Sequence, residues 1–164
     1  MGKKSVYFGV FTALALIVSY VEALIPFSFG IPGIKLGLAN IVVVAALYMW
    51  GGTTALLLSV VRILLSGFLF GNMFAILYSL AGALLSLSVM ALLKKSGRFS
   101  VTGVSIAGGV FHNIGQMMAA GLLLPKAGLL YYFPFLLIAG VITGFLIGIL
   151  SMEIIKRLPK GSKK

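Results

Sequence analysis

Apolar residues fill most of this chain in six long runs, and the breaks between runs contain glycine, proline, asparagine or charged residues. The runs lack the alternation of apolar and polar positions that marks barrel strands, so helices are the elements that satisfy their own backbone hydrogen bonds in lipid. Most runs match the roughly 20 residues that a helix needs to cross the hydrocarbon core. The pattern predicts helices at residues 5–25, 36–50, 53–70, 73–93, 102–124 and 129–153.

The basic residues divide unevenly between the two ends of these helices. The breaks are short, so neighbouring helices run antiparallel, and an N-terminus in the cytoplasm places ten lysines and arginines on that side. Only Lys35 and Lys126 then lie outside, which fits the positive-inside rule. We predict one membrane domain over residues 1–164, an all-α bundle of six transmembrane helices. Both termini are expected in the cytoplasm, with basic tails at 1–4 and 157–164.

A secretory signal peptide is an alternative for the first 23 residues. Lys3 and Lys4 precede an apolar run, and Val21-Glu22-Ala23 loosely resembles a cleavage site for signal peptidase. Cleavage would leave five helices and would put the basic loops on the wrong side of the membrane. We therefore expect the first helix to be part of the bundle.

The composition supports a membrane protein over the other classes that a basic chain suggests. Hydrophobic residues make up 61% of the 164 residues and charged residues 9%, and the mean hydropathy is +1.20. These values lie outside the range of water-soluble domains. The formal net charge of +11 therefore indicates topology and contact with anionic lipid headgroups, not nucleic acid. The chain has no cysteine, which excludes disulfides and thiolate metal sites.

Polar side chains within the predicted spans gather in the middle and outer half of the bundle. Arg62 lies near the middle of the third helix and His112 near the middle of the fifth, with Gln116 one turn further out and Asn113 beside them. An arginine at mid-membrane costs roughly 2.5–3.5 kcal/mol on insertion scales, so it needs a partner or water. The other members of this set, near the outer ends of their helices, are Glu22, Lys35, Asn40, Asn72 and Tyr78.

Three interpretations of this polar set stay open. It could form a pocket, open to the outside, in which Arg62, Lys35 and His112 receive an anionic or strongly polar part of a ligand. It could be an internal tie in which Arg62 bonds helix carbonyls, Gln116 or Glu22. It could be a proton relay, although Glu22 is the only further acid in the spans. We favour the pocket, because the polar groups converge from several helices.

Small residues recur at intervals of four on three helices, a spacing that lets helix backbones approach closely in lipid. On the first helix, Gly9 and Ala13 form a shorter pair. We give equal weight to two roles for this pair: contact with the helix of a partner protein, and packing within this protein. Packing within the bundle is the expected role of two longer stripes, Gly140, Gly144 and Gly148 on the sixth helix and Ala75, Ser79 and Ala83 on the fourth.

Most enzyme chemistry is excluded by the residue types that the chain lacks. It has no aspartate, and its two acidic residues, Glu22 and Glu153, fall at opposite membrane faces. Paired carboxylates, carboxylate metal cages and a serine–histidine–aspartate triad therefore cannot form. No glycine-rich phosphate-binding loop ending in Lys-Ser or Lys-Thr is present. We expect no catalytic residue, metal or cofactor, so a partner must supply the energy for any transport.

Three segments carry a resemblance to a known family: IPGIKLGLANIV at 31–42, MWGGTTALLLSVVRILLSGFLFGN at 49–72 and GGVFHNIGQ at 108–116. They resemble the bacterial family known both as Gx transporter and as heptaprenyl diphosphate synthase component I, over nearly the whole chain. More remotely, the six-helix layout is similar to the substrate-binding S components of energy-coupling factor (ECF) transporters. This resemblance implies a protein of the bacterial cytoplasmic membrane that binds a small molecule near its outer face.

The same resemblance implies partners. An S component docks through its first helix on a transmembrane coupling protein driven by two ATPases. The docking signature of S components is an Ala-x-x-x-Ala pair, where this chain has Gly9-x-x-x-Ala13.

The synthase name conflicts with the composition. Prenyl diphosphate synthases hold magnesium diphosphate through aspartates, and this chain has none. We therefore expect a substrate-binding protein for uptake of a small molecule. The alternative is an accessory or structural membrane subunit linked to prenyl or quinone lipid metabolism.

Overall fold

The computed structural model of the protein describes residues 3–24, 37–123 and 129–158. These residues form six α-helices and no strands, which confirms the predicted all-α bundle. Five helices match the predicted ranges to within a few residues, whereas α2 is shorter than predicted because a turn at 38–39 precedes it. The helices are α1 (Lys3–Leu24), α2 (Asn40–Trp50), α3 (Gly52–Phe70), α4 (Met73–Ser96), α5 (Val101–Leu123) and α6 (Leu129–Arg157).

Local sequence signals set several of the helix ends. The Gly51 backbone has a positive φ of 96°, which lets the chain turn from α2 directly into α3. The Asn72 side chain caps α4 by accepting a hydrogen bond from the Ala75 amide at 2.8 Å. At the other end of α4, Lys94 and Lys95 occupy the last turn, where a cation complements the negative end of the helix dipole.

The helices pack in a ring with one helix outside it. In this ring α3 lies between α2 and α4, α5 lies between α4 and α6, and α6 returns to contact α2. The remaining helix, α1, lies against α2 and α3. This arrangement leaves room for a space enclosed by the ring.

The short helix α2 is the most enclosed element of the described chain. Its residues from Val42 to Leu47 are all buried, on every side of the helix. Its C-terminal end is fixed by Trp50, whose ring lies edge-on to Phe11 with centroids 4.6 Å apart. From α4, Lys94 donates a hydrogen bond to the Leu47 carbonyl at this same end. A helix that is apolar all round and buried in this way is an internal element of the bundle.

Four of the six helices, α1, α3, α4 and α6, are long and apolar enough to cross a membrane. The internal helix α2 has 11 residues, so it is about 16 Å long and spans only about half of a hydrocarbon core of roughly 30 Å. Helix α5 has 23 residues and carries the polar cluster His112, Asn113 and Gln116 near its middle. The chain is thus a multi-pass membrane protein, and the cytoplasmic placement of its termini stays a prediction.

Helices α5 and α6 approach closely through the glycine stripe of α6. A Cβ atom added to Gly140 would lie 2.8 Å from the Gly109 carbonyl oxygen, and one added to Gly144 would lie 2.7 Å from the Ser105 carbonyl oxygen. At Gly148 it would lie 2.7 Å from the Cα of Thr102. Real Cβ atoms do not approach backbone this closely, so the two helices can pack at this distance only without side chains along the stripe.

We predict that Gly148→Ala destabilises the bundle by about 1–3 kcal/mol, because the new methyl group forces the backbones of α5 and α6 apart. Gly121→Ala is the matched control, since a Cβ at Gly121 would meet nothing within 4 Å. The thermal unfolding midpoints of the purified proteins in one detergent measure both effects. A lower midpoint is expected for Gly148→Ala alone, and equal midpoints for the two variants would contradict the packing role of the stripe.

Candidate functional site

A cavity of about 390 Å³ lies within the helix bundle. Residues from all six helices line it, and its wall contains both polar side chains and apolar ones. The volume falls in the range of small-molecule sites, which also combine an apolar wall with a few placed polar groups.

Six of the nine predicted site residues line this cavity. They come from α1, α2, α3 and α5, so residues far apart in the chain meet at one place. Lys35 lies outside the described residues, and Asn72 and Tyr78 lie elsewhere in the structure. The six lining residues are Glu22, Asn40, Arg62, His112, Asn113 and Gln116.

Asn72 and Tyr78 are predicted site residues, but the structure places both of them outside the cavity wall. The Asn72 side-chain oxygen is bonded to the Ala75 amide, so this residue serves as the N-cap of α4. Tyr78 directly precedes the lining residue Ser79, and successive helical residues point about 100° apart, which turns Tyr78 away from the cavity.

Arg62 is the only lysine or arginine among the described residues that line the cavity. One terminal nitrogen of its guanidinium, Nη1, lies 3.4 Å from Ser19 Oγ, and the other, Nη2, lies 3.5 Å from Asn40 Oδ1. Both contacts are long for hydrogen bonds between these atom types. The third nitrogen, Nε, is buried and has no hydrogen-bond partner in the described part of the chain.

Arg62 has no ion-pair partner among the described residues. The ion pair found there joins Lys156 to Glu153 at the end of α6, at 2.9 Å. Glu22 is the acid nearest in the cavity wall, but its carboxylate accepts a hydrogen bond from the Gly37 amide and lies beyond ion-pair distance of the arginine. Arg62 thus bonds neither Gln116 nor Glu22 among the described residues, but its contacts to Ser19 and Asn40 join α3 to α1 and α2, and the negative charge of Glu22 acts on it through space.

Glu22 instead joins the end of α1 to the segment before α2. Its carboxylate accepts from the backbone of Gly37, a residue with a positive φ of 68°. A side chain there would meet the amide of Asn40 at 3.1 Å and the end of Ile147 at 3.5 Å. The Asn40 backbone amide donates to the Gly37 carbonyl at 2.8 Å, so Gly37 links Glu22 to Asn40 in the cavity wall.

The α5 wall is held by contacts to both neighbouring helices. Asn113 Nδ2 donates to the Leu136 carbonyl of α6 at 2.6 Å, so this predicted site residue also links two helices. On the other side, a Cβ at Gly82 of α4 would lie 2.9 Å from the His112 ring and 3.0 Å from the Gln116 side chain. The missing side chain at Gly82 thus makes room for both polar residues of α5.

Hydroxyl groups form a part of the site that was not included in the predicted set. Ser86 Oγ donates to the Gly108 carbonyl at 2.8 Å, which links α4 to α5 at the wall. The sequence predicts that Ala75, Ser79 and Ala83, spaced four residues apart on α4, pack against another helix. In the structure these residues line the cavity. The sequence signal that could have indicated this part of the cavity wall is a helical face made of small and hydroxyl side chains. The lining hydroxyl residues are Ser19, Ser59, Ser66, Ser79, Ser86, Ser105 and Thr143.

The predicted partner residues of α1 lie on a different surface. Gly9 and Ala13 are both exposed, and a Cβ at Gly9 would meet nothing within 4 Å. They share this surface with Val6, Val10 and Ile17, which are 55–60% exposed. The pair therefore faces outward from the described bundle, with open space beside Gly9.

Comparison with known proteins finds one family. The family model described as heptaprenyl diphosphate synthase component I matches residues 11–154, which is most of the chain. No curated protein and no solved structure gives a significant match.

Proposed function

The chain belongs to the heptaprenyl diphosphate synthase component I family, and we propose that it acts as a membrane-embedded substrate-binding protein for uptake of a small molecule. The ligand occupies the cavity, and partner proteins power its transport. The observation that supports this most is Arg62, a cation in the cavity wall with a buried Nε that has no described partner. A charge in such a place is costly until an opposite charge or a strong acceptor meets it.

Each polar residue of the wall has a part in this proposal. Arg62 anchors a negative or carbonyl group of the ligand, and His112 and Gln116 give it directional hydrogen bonds. Asn40 lines the site beside Arg62, to which it is bonded at 3.5 Å. Lys35 lies outside the described residues, and its proposed part, attraction of the ligand, rests on the sequence alone.

Glu22 and Asn113 keep the cavity in shape. Glu22 is bonded to the Gly37 backbone and Asn113 to the Leu136 carbonyl, so each of them links two parts of the bundle next to the site. Residues that hold a binding site in position commonly act in this way.

The proposed partners are an ECF-type coupling protein and its ATPases. The chain has no phosphate-binding loop, so it depends on others for the energy of transport. The exposed surface of α1 around Gly9 and Ala13 is the proposed contact, because small residues on a lipid-facing helix let a partner helix approach closely.

We predict that Gly9→Phe prevents copurification of ATPases while ligand binding is unchanged. The added ring has space in the fold, since nothing lies within 4 Å of a Cβ at this position, but it holds a partner helix away. Val141→Phe, on the exposed surface of α6, is the matched control. The measurement is affinity purification of the tagged protein from its native membrane, with quantification of each copurifying protein. Absence of ATPases from the wild-type sample would contradict an ECF-type mechanism.

A second candidate function follows from the family description, which names a component of a synthase. In this alternative the chain is an accessory subunit of prenyl or quinone lipid metabolism. It would not be the catalytic subunit, because it lacks the aspartates that hold magnesium diphosphate. The same purification separates the two functions: stable association with a lipid-synthesis enzyme, without ATPases, favours the accessory role.

A further inference from the structure

We propose that Lys94, which does not line the cavity, is a positioning residue for ligand binding. Lys94 and Glu22 complement opposite ends of the internal helix α2, and in this way they set where the lining residues of α2 stand. This inference rests on the proposed function, because it concerns what holds the proposed ligand site in place. Three features of the described residues support it.

The first feature is that α2 begins inside the bundle and not at a membrane surface. The helix has 11 residues, so it is about 16 Å long and cannot reach both faces of the hydrocarbon core. Its first residue, Asn40, is bonded to Arg62, which lies near the middle of α3. The partial charges at the ends of a helix are weakly screened in such surroundings, so opposite charges placed beside them have a larger effect than at exposed helix ends.

The second feature is a negative charge at the start of α2. The first three amides of α2 donate to the carbonyls of residues 37–39 at 2.8–3.2 Å. The Gly37 amide, in the same turn, donates to the Glu22 carboxylate of α1. A carboxylate therefore lies beside the end of α2 that carries the partial positive charge of the helix dipole. The start of α2 is thus joined to α1.

The third feature is a positive charge at the other end of α2. Lys94 lies in the last turn of α4, and its Nζ donates to the Leu47 carbonyl at 2.5 Å. The same nitrogen lies 5.1 Å from the centre of the Tyr48 ring. A helix C-terminus and an aromatic face both favour a cation. The next residue, Lys95, is exposed, as is usual for a lysine near the end of a transmembrane helix, whereas Lys94 is half-buried and directed towards α2.

The position of α2 matters for the cavity because this helix supplies part of the wall. Asn40, Val43 and Val44 line the cavity. Leu47, whose carbonyl is bonded by Lys94, lies seven residues after Asn40, which is about 10 Å along the helix. A helix this short moves as a rigid element, so a shift at its inner end would carry the lining residues with it.

The chain offers a separate spectroscopic reporter for each of the two places. Trp50, the only tryptophan, lies at the end of α2 that Lys94 contacts, and 5-fluorotryptophan gives it a single fluorine-19 signal. Arg62 is one of three arginines, so its nitrogen-15 signal at Nε can be assigned with single variants. The full chain is studied in lipid nanodiscs after copurified small molecules have been removed. Before that removal, the half-life of the copurified molecule on the protein is measured during dialysis.

Four substitutions separate the charge of Lys94 from its other properties. Lys94→Met removes the charge and keeps a side chain of similar length. Lys94→Gln keeps a donor for the Leu47 carbonyl without the charge, and Lys94→Arg keeps the charge. Lys95→Met, which removes the exposed neighbouring charge, is the matched control.

In Lys94→Met we expect shifted signals of both Trp50 and Arg62, and a half-life of the copurified molecule that is about tenfold shorter, because α2 loses the cation at its C-terminal end. Lys94→Gln should change all three measurements in the same direction. Lys94→Arg should keep them close to wild type, and Lys95→Met should leave them unchanged.

An unchanged Arg62 signal in folded Lys94→Met protein would overturn the proposal even if the thermal midpoint fell, because Lys94 would then stabilise the fold without positioning the wall. Equal effects of Lys94→Arg and Lys94→Met, or of Lys95→Met and Lys94→Met, would also overturn it. If Lys94→Met does not fold, Lys94→Gln takes its place in the comparison, and failure of both to fold would count against the proposal. A wild-type protein without any copurified molecule would contradict the uptake function, whereas the Arg62 signal would still test the role of Lys94.

Discussion

Arg62→Gln is expected to abolish ligand retention, with a loss of affinity of roughly 100-fold, because charge-assisted hydrogen bonds to the ligand disappear. Glutamine is uncharged and shorter, but its amide is still able to form hydrogen bonds near Ser19 and Asn40, the two described partners of Arg62. The fold should therefore tolerate the change, and removal of a buried cation takes away its desolvation cost. The measurement is the amount of small molecule that copurifies with the variant, relative to wild type.

The control for this variant is Arg98→Gln. Arg98 is exposed in the break between α4 and α5, so the substitution changes the net charge equally without touching the cavity. Its ligand content should equal that of wild type. A folded Arg62→Gln protein with full ligand content would contradict the assignment of Arg62 as the anchor. A loss of ligand in both variants would indicate that net charge is the cause.

Ser79→Phe is expected to have the second largest effect, a loss of ligand binding with the fold retained. Ser79 lies on α4, lines the cavity and is half-buried. A phenyl ring at this position would project into a space of about 390 Å³ and take up the part of it next to α4. Because the ring fills a space and does not replace a packed side chain, the cost in stability should be small compared with core overpacking.

Ser88→Phe is the matched control on the same helix. Ser88 is exposed, and its hydroxyl bonds only to the Leu84 carbonyl one turn earlier on α4. This variant should keep both the thermal midpoint and the ligand content of wild type. If Ser79→Phe also keeps its ligand while remaining folded, the ligand does not occupy this cavity.

Apolar periodicity was enough to predict most of the fold. Five of the six helices begin and end within a few residues of the predicted positions, because glycines, Asn72 and the run from Lys94 to Arg98 mark the breaks. The short extent of α2 was not predicted. The apolar run continues through Leu36, Gly37 and Leu38, and hydropathy alone does not distinguish a helix from a turn that is enclosed by neighbouring helices.

The polar site was partly predictable, because polar residues in lipid are rare enough to be noticed one by one. Depth along each helix placed Arg62, His112 and Asn40 together, and all three line the cavity. Depth does not give the direction in which a side chain points around its helix, and this is why Tyr78 was included. The bond from Ala75 to Asn72 shows a different limit, since a helix cap and a ligand contact use the same side-chain oxygen.

The serines were the least predictable part of the site. A serine in a lipid-embedded helix commonly bonds a carbonyl of its own helix, as Ser66 does with Ile63 at 3.2 Å. Its residue type therefore says little about whether it faces a cavity. Only the packing of α3, α4 and α5 around one space identifies Ser59, Ser79 and Ser105 as members of the same wall.

Native mass spectrometry of the wild-type protein, released from mild detergent and followed by extraction and identification of bound small molecules, tests the central claim most directly. The account predicts one small organic molecule per chain, lost in the Arg62→Gln and Ser79→Phe variants and kept in Arg98→Gln and Ser88→Phe. A wild-type protein that carries ordinary phospholipid alone would contradict the account. Arg62, His112 and Gln116 would then be contacts that hold a structural subunit together.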